Sequence, residues 1–179
     1  MKATVPQGTL VPIKDCWIEI DGDRITMKIL PDISDSKSAE YTDESGIGRS
    51  MPFKSYQNSS NRTISWTVHF VVCKDGDQET IMENLRLIES AVYPKASNTG
   101  GAPYAPPPLC TLRCGELLSE GESEDICAVL KSYSVKFDTS VPWDEIGYVP
   151  YKMDVDLSFE VVYDQSALPG SEKIMDDGV

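Results

Sequence analysis

From residue 152 to 163 the chain alternates, with Met153, Val155, Leu157, Phe159, Val161 and Tyr163 separated by Lys152, Asp154, Asp156, Ser158 and Glu160. Only Val162 breaks the pattern. A period of two sustained over this length requires a β-strand with one face in a core and the other in water. A helix would scatter the same apolar residues around its whole circumference. The chain must therefore build a sheet that presents one solvated side.

Other segments supply partners for that strand. In residues 62–73, Ile64, Trp66, Val68 and Phe70 share one face, while Thr63, Ser65, Thr67 and His69 share the other. In residues 126–137, Val129, Tyr133, Val135 and Phe137 contrast with Ser132, Ser134 and Lys136. Residues 16–20 and 24–30 are apolar-rich runs joined by Asp21-Gly22-Asp23, and an Asp-Gly between such runs predicts a hairpin. Residues 109–118 read as a short strand, a turn at Gly115 and a second short piece.

One stretch has helical spacing. Ile81, Leu85, Ile88 and Val92 recur at intervals of three and four, widened by Met82, Leu87 and Ala91, with Asp77 placed as N-cap and Pro94 as the stop. The predicted fold is α+β and mostly β: an antiparallel β-barrel or sandwich of six to eight strands with one main helix packed on it. Residues 31–61 and 95–108 hold few large apolar residues and are rich in Ser, Asp, Pro or Gly, so they read as extended arms or loops. One domain then spans 1–163, and 164–179 is a polar tail.

Composition narrows the function. Acidic residues exceed basic ones by enough to give a formal net charge of −13, which opposes gripping a phosphate backbone. No apolar run approaches the ~20 residues of a membrane-spanning helix, and residues 1–11 hold no stretch of signal-peptide length. Five cysteines, an odd number without CxxC spacing, and one histidine do not make a zinc site, and no metal or cofactor is expected. Cys110 and Cys114 lie too far apart along one strand to bridge, while a disulfide between distant cysteines or between subunits stays open.

Catalytic patterns are lacking. Ser-His chemistry would have to pass through His69, on the polar face of a strand, and there is no GxSxG elbow. Asp21-Gly22-Asp23 and Asp75-Gly76-Asp77 do not continue into a calcium loop, and Gly46-Ile47-Gly48 lacks the third glycine of a phosphate cradle. No catalytic residue is assigned, and an enzyme is not expected. The runner-up to a structural role is a small β-rich module that binds carbohydrate or peptide.

The order of segments resembles a family. Gly46-Ile47-Gly48-Arg49-Ser50-Met51-Pro52-Phe53 leads into Arg62-Thr63-Ile64-Ser65-Trp66-Thr67-Val68-His69-Phe70, then into a helix closing with Ile88-Glu89-Ser90-Ala91-Val92-Tyr93-Pro94. Pro106-Pro107-Pro108-Leu109, Cys114-Gly115 and two long strands follow. This arrangement is similar to the amino-terminal domain of LysM-type tail proteins from the baseplates of contractile-tailed bacteriophages, over about residues 40–163.

The resemblance implies a tail-tube-like fold and a structural virion role at the baseplate hub or tube start. It implies a ring, with six copies as the expected count, joined to other tail or baseplate proteins. Localisation would be the virion, after assembly in the host cytoplasm, with DNA able to pass without specific binding. The arms would clasp neighbouring subunits. The candidate contacts are Arg49, Phe53 and Tyr56 on the first arm, Tyr104 and Pro107 on the second, and Trp143 in a later loop. Family members often add a LysM module, for which 164–179 leaves no room, so peptidoglycan binding is not implied.

Overall fold

The computed structural model describes residues 12–48, 50–74, 76–96, 104–115, 117–118, 125–137, 139–144 and 148–163. The expected polar tail at 164–179 lies outside the described residues. In chain order the elements are β1 (Cys16–Ile20), β2 (Asp23–Thr26), β3 (Asp32–Ser36), β4 (Ala39–Glu44), β5 (Phe53–Ser59), β6 (Thr63–Val71), α1 (Asp77–Ser90), β7 (Lys95–Ala96), β8 (Tyr104–Ala105), β9 (Cys110–Cys114), β10 (Ile126–Phe137) and β11 (Lys152–Val161).

A seven-stranded sheet runs β2-β1-β9-β10-β11-β6-β3, antiparallel throughout. The protein is thus mostly β with one helix, as the periodicities require. The expected barrel or two-sheet sandwich is corrected: among the described residues no ladder joins β2 to β3, so the sheet stays open. It is nevertheless rolled. β2 and β3 run in the same direction and only residues 27–31, bent at Lys28 and Ile29, separate them, so residues 23–36 cross directly from the β1 edge to the β6 edge.

The turn opening this segment is the predicted one. Asp21 and Gly22 both have positive φ (56° and 90°), as a tight turn matched to the twist of a hairpin requires.

Alternation then assigns the faces. Ile18, Ile64, Trp66, Val68, Leu112, Ile126, Val155, Leu157 and Phe159 are buried in a cluster that also takes Ile81 and Ile88 from α1 and Ala91 from its C-terminal cap. Trp66 meets Phe159 edge-on, ring centres 6.3 Å apart. β10 departs from its predicted face. A bulge lies between Leu130 and Ser132, so the core face is Ile126, Ala128 and Leu130 before it and Tyr133 and Val135 after it. Val129, grouped with Tyr133 by simple alternation, falls outside this core cluster.

The helix start also differs. Gly76, at φ 87°, is the N-cap, and Asp77 is the first helical residue. Its carboxylate turns back to accept the backbone N–H groups of Cys73 and Lys74 at 3.1 and 3.2 Å.

The first arm is ordered chain rather than loop. β3 edges the main sheet, and β4 pairs with β5 as a separate two-stranded ribbon. The Ser60 N–H donates to the Ser38 carbonyl at 2.8 Å, and their hydroxyls meet at 2.6 Å. The β3–β6 pair therefore runs on into β4–β5, whose seven-residue strand reaches about 20 Å beyond the sheet. The second arm holds the short pair β7–β8.

Candidate functional site

Three features outside the core stand out: the projecting ribbon, a groove beside the helix, and a small pocket where the rolled sheet fails to close. Every residue of β4 is exposed, as is every residue of β5 except one. A two-stranded ribbon with both faces in water depends on its ladder and a few cross-strand pairs. Tyr41 and Tyr56 supply one, edge-on with ring centres 5.7 Å apart, and the Tyr56 hydroxyl reaches Ser59 Oγ at 2.7 Å. Asp43 and Lys54 pair farther out.

Ile47, Met51 and Phe53 lie at the far end, all exposed, with Glu44 directly opposite Phe53. At the base, Arg62 donates twice to Asp35 Oδ2 and once to Oδ1, at 2.7 to 3.0 Å. The guanidinium holds the Asp35 carboxyl below the usual range.

The groove arises from a mismatch of lengths. A helix of 14 residues spans about 21 Å, while the 12 residues of β10 span about 40 Å, so α1 cannot cover the strand. Tyr133, Val135 and Phe137, on the core side of β10, therefore emerge next to Met82, Leu85, Arg86, Glu89 and Tyr93 around an open groove of about 580 Å³. Burial at its floor raises the Tyr133 phenol, helped by the charge of Glu89. Trp143 sits at one end, half-buried, its ring 6.4 Å from Phe137.

The pocket, about 220 Å³, is lined by Thr26, Met27 and Lys28 on one side, His69, Phe70 and Val71 on another, and Asp77 and Ile81 from α1. Lys28 Nζ bridges it to Asp77 Oδ1 at 2.9 Å. The ammonium and the two backbone N–H groups hold the Asp77 carboxyl below its ordinary range, although the residue is only 4% exposed.

His69 is engaged by carboxylates on both nitrogens, Asp154 Oδ1 at 2.6 Å from Nδ1 and Asp32 Oδ2 at 3.5 Å from Nε2. The remaining acids of the wet face of β11 are partnered too. Thr67 donates to Asp156 at 2.6 Å, while Asn61 and Lys131 reach Glu160 at 2.6 and 2.7 Å and depress its carboxyl. These acids tie β10, β11 and β6 together. Among the described residues no group of three His, Cys, Asp or Glu is placed to hold a metal ion, and no helix is long and apolar enough to cross a membrane.

The predicted contact residues occupy separate places. Phe53 and Tyr56 are exposed on the ribbon, and Arg49 lies outside the described residues. Tyr104, in β8, and Pro107, between β8 and β9, are exposed on the second arm. Trp143 is beyond the Phe137 end of β10, which pairs through Met153 with Phe70, whereas the ribbon leaves β6 at Thr63. Ribbon and tryptophan thus stand at opposite ends of β6. Sequence reasoning missed Tyr133 and Phe137 as surface groups, because their spacing is that of core residues, and assigned Tyr93 no role.

No protein-family model matches the chain, and no curated protein matches it in sequence.

Proposed function

We propose that this protein is a structural component of a bacteriophage tail, of tube-initiator or baseplate-hub type, that assembles into a ring and joins neighbouring tail proteins. The observation that carries the reading is the ribbon β4–β5: it extends beyond the sheet, makes no apolar contribution to the core, and ends in Ile47, Met51 and Phe53. An exposed apolar end on a long polar stem is costly in solution and useful when a neighbouring subunit covers it. The tail-tube-like fold belongs to this proposal, with the rolled sheet as its barrel wall and residues 23–36 as the segment linking the two edges. The second arm, with Tyr104 and Pro107, adds a further contact.

In this reading six copies enclose a channel, and the net charge of −13 lets DNA pass without adhering. The protein reaches the virion after assembly in the host cytoplasm. Electron cryomicroscopy of the purified chain tests the ring: closed annular particles of fixed copy number support it, and monomers at every concentration contradict it.

The groove favours a second reading, a module binding an extended peptide or a glycan on the rings of Tyr93, Tyr133, Phe137 and Trp143. A thermal-shift screen against peptides and oligosaccharides distinguishes it, since stabilisation lost on Phe137→Ser would move the function to the groove.

A further inference from the structure

In the β1–β9 ladder Cys16 stands directly opposite Cys114. The Met27 N–H donates to the Cys16 carbonyl at 3.0 Å and the Cys16 N–H donates to the Ile13 carbonyl at 3.3 Å, so neither backbone group of Cys16 is spent on β9. On the β9 side the hydrogen-bonded level is the adjacent one, where the Gly115 N–H donates to the Asp15 carbonyl at 2.7 Å. Cys16 and Cys114 therefore form a non-hydrogen-bonded pair. That is the level at which antiparallel Cα atoms come closest, about 4.5 Å. The spacing lies within the range that a disulfide spans.

Both thiols belong to the same core cluster, and the Cys114 thiol is near enough to help raise that of Cys16. No other pair among the five cysteines is in direct register: Cys110 stands opposite Ile20 and Ala128, Cys127 opposite Thr111, and Cys73 follows the end of β6.

We propose that Cys16 and Cys114 are a redox site, closing to a reversible cross-strand disulfide on reaction with a low-molecular-weight disulfide such as oxidised glutathione. Cys114, 8% exposed against 1% for Cys16 and beside the Gly115 turn, reacts first. Its thiolate attacks one sulfur of the small disulfide, forming a mixed disulfide and releasing one small thiolate. The Cys16 thiolate then attacks the Cys114 sulfur and releases the second. The protein loses two protons and two electrons; the oxidant gains both and leaves as two thiols.

Burial and the neighbouring thiol push Cys16 up to about 12, so the second step is slow at neutral pH and quickens as pH rises. The bond would close a loop of roughly 100 residues, which strongly restricts the unfolded chain. The ladder already holds the two strands in the required register, so the fold need not change.

The test is incubation of the full chain with excess oxidised glutathione at about pH 8.5, alkylation of remaining thiols, and peptide mapping without reduction. The expected result is a cross-linked pair of peptides carrying Cys16 and Cys114, neither of them alkylated or capped by glutathione, and a melting temperature higher by at least about 5 °C, all reversed by dithiothreitol. A Cys73→Ser/Cys127→Ser double variant should give the same cross-link. Both cysteines recovered alkylated or capped by glutathione at equilibrium would overturn the proposal, as would a cross-link between other cysteines.

Discussion

Lys28 and Asp77 meet at 2.9 Å across the opening in the rolled sheet, tying the segment that leaves β1 to the first residue of the only helix among the described residues. The same carboxylate accepts two backbone N–H groups of the preceding loop. One side chain thus fixes where the chain passes from β6 into α1 and how α1 sits over the edge of the sheet.

Replacing that side chain should therefore cost more than a surface change. Asp77→Ala leaves two N–H groups and the Lys28 ammonium without their acceptor, and a loss of about 1–3 kcal/mol is expected in urea unfolding. Lys28→Met keeps the backbone acceptor and should cost less. Equal losses for the two variants would show that the ion pair, not the backbone capping, dominates.

Acid should act through the same group. Asp35, Asp77 and Glu160 are all held below their ordinary range by Arg62, Lys28 and Lys131 respectively, with backbone or Asn61 donors assisting. A depressed carboxyl stabilises the folded state fully above its unfolded pKa, and that contribution is lost as pH falls through the folded value. Melting temperature should thus hold from neutral pH down to about 5 and fall below about 4. In Asp77→Asn the starting stability should be lower and the acid-induced fall shallower. A fall as steep as in the wild type would remove Asp77 from this account.

Deletion of Lys131 tests the bulge. Leu130 faces Phe159 and Ser132 faces Ser158, so Lys131 is the extra residue. Removing it leaves Leu130 and Tyr133 on the core side and sacrifices the ion pair to Glu160, worth ~1 kcal/mol or less at an exposed position. Deleting Ile126 instead shifts a buried residue off its level and should unfold the domain. Denaturation midpoints of the two variants separate these outcomes.

Much of this architecture was legible from periodicity. Strands with one buried face, β6 and β11 above all, carry their orientation in the alternation of Trp66, Val68, Val155 and Leu157 with polar neighbours. The Asp21-Gly22 turn marked its hairpin. β3, β4 and β5 left no such mark, because a ribbon wet on both faces needs no apolar alternation and its ladder is made by backbone. The bulge in β10 was hidden for a related reason: Val129 and Leu130 are both apolar, so either can be read as core. Barrel closure was not legible, since it depends on whether residues 27–31 keep their backbone groups within reach of both edges.

The candidate surface was legible only in part. Phe53 and Tyr56 are expected contacts only through the family resemblance of the first arm, and the ribbon exposes them. Tyr133 and Phe137 have the spacing of buried residues and reach the surface because the helix above them is too short. That depends on two lengths compared in space.

The ribbon's end gives the central claim its most direct measurement. Ile47→Asp and Phe53→Ser alter exposed side chains outside the core, so each should change monomer stability by no more than ~0.5 kcal/mol. Native mass spectrometry of the wild-type chain and the double variant, at matched concentration, reads assembly itself. The account predicts a discrete multimer of the wild type that dissociates to folded monomer in the variant. A wild type that is monomeric throughout, or a variant that assembles equally well, would contradict it.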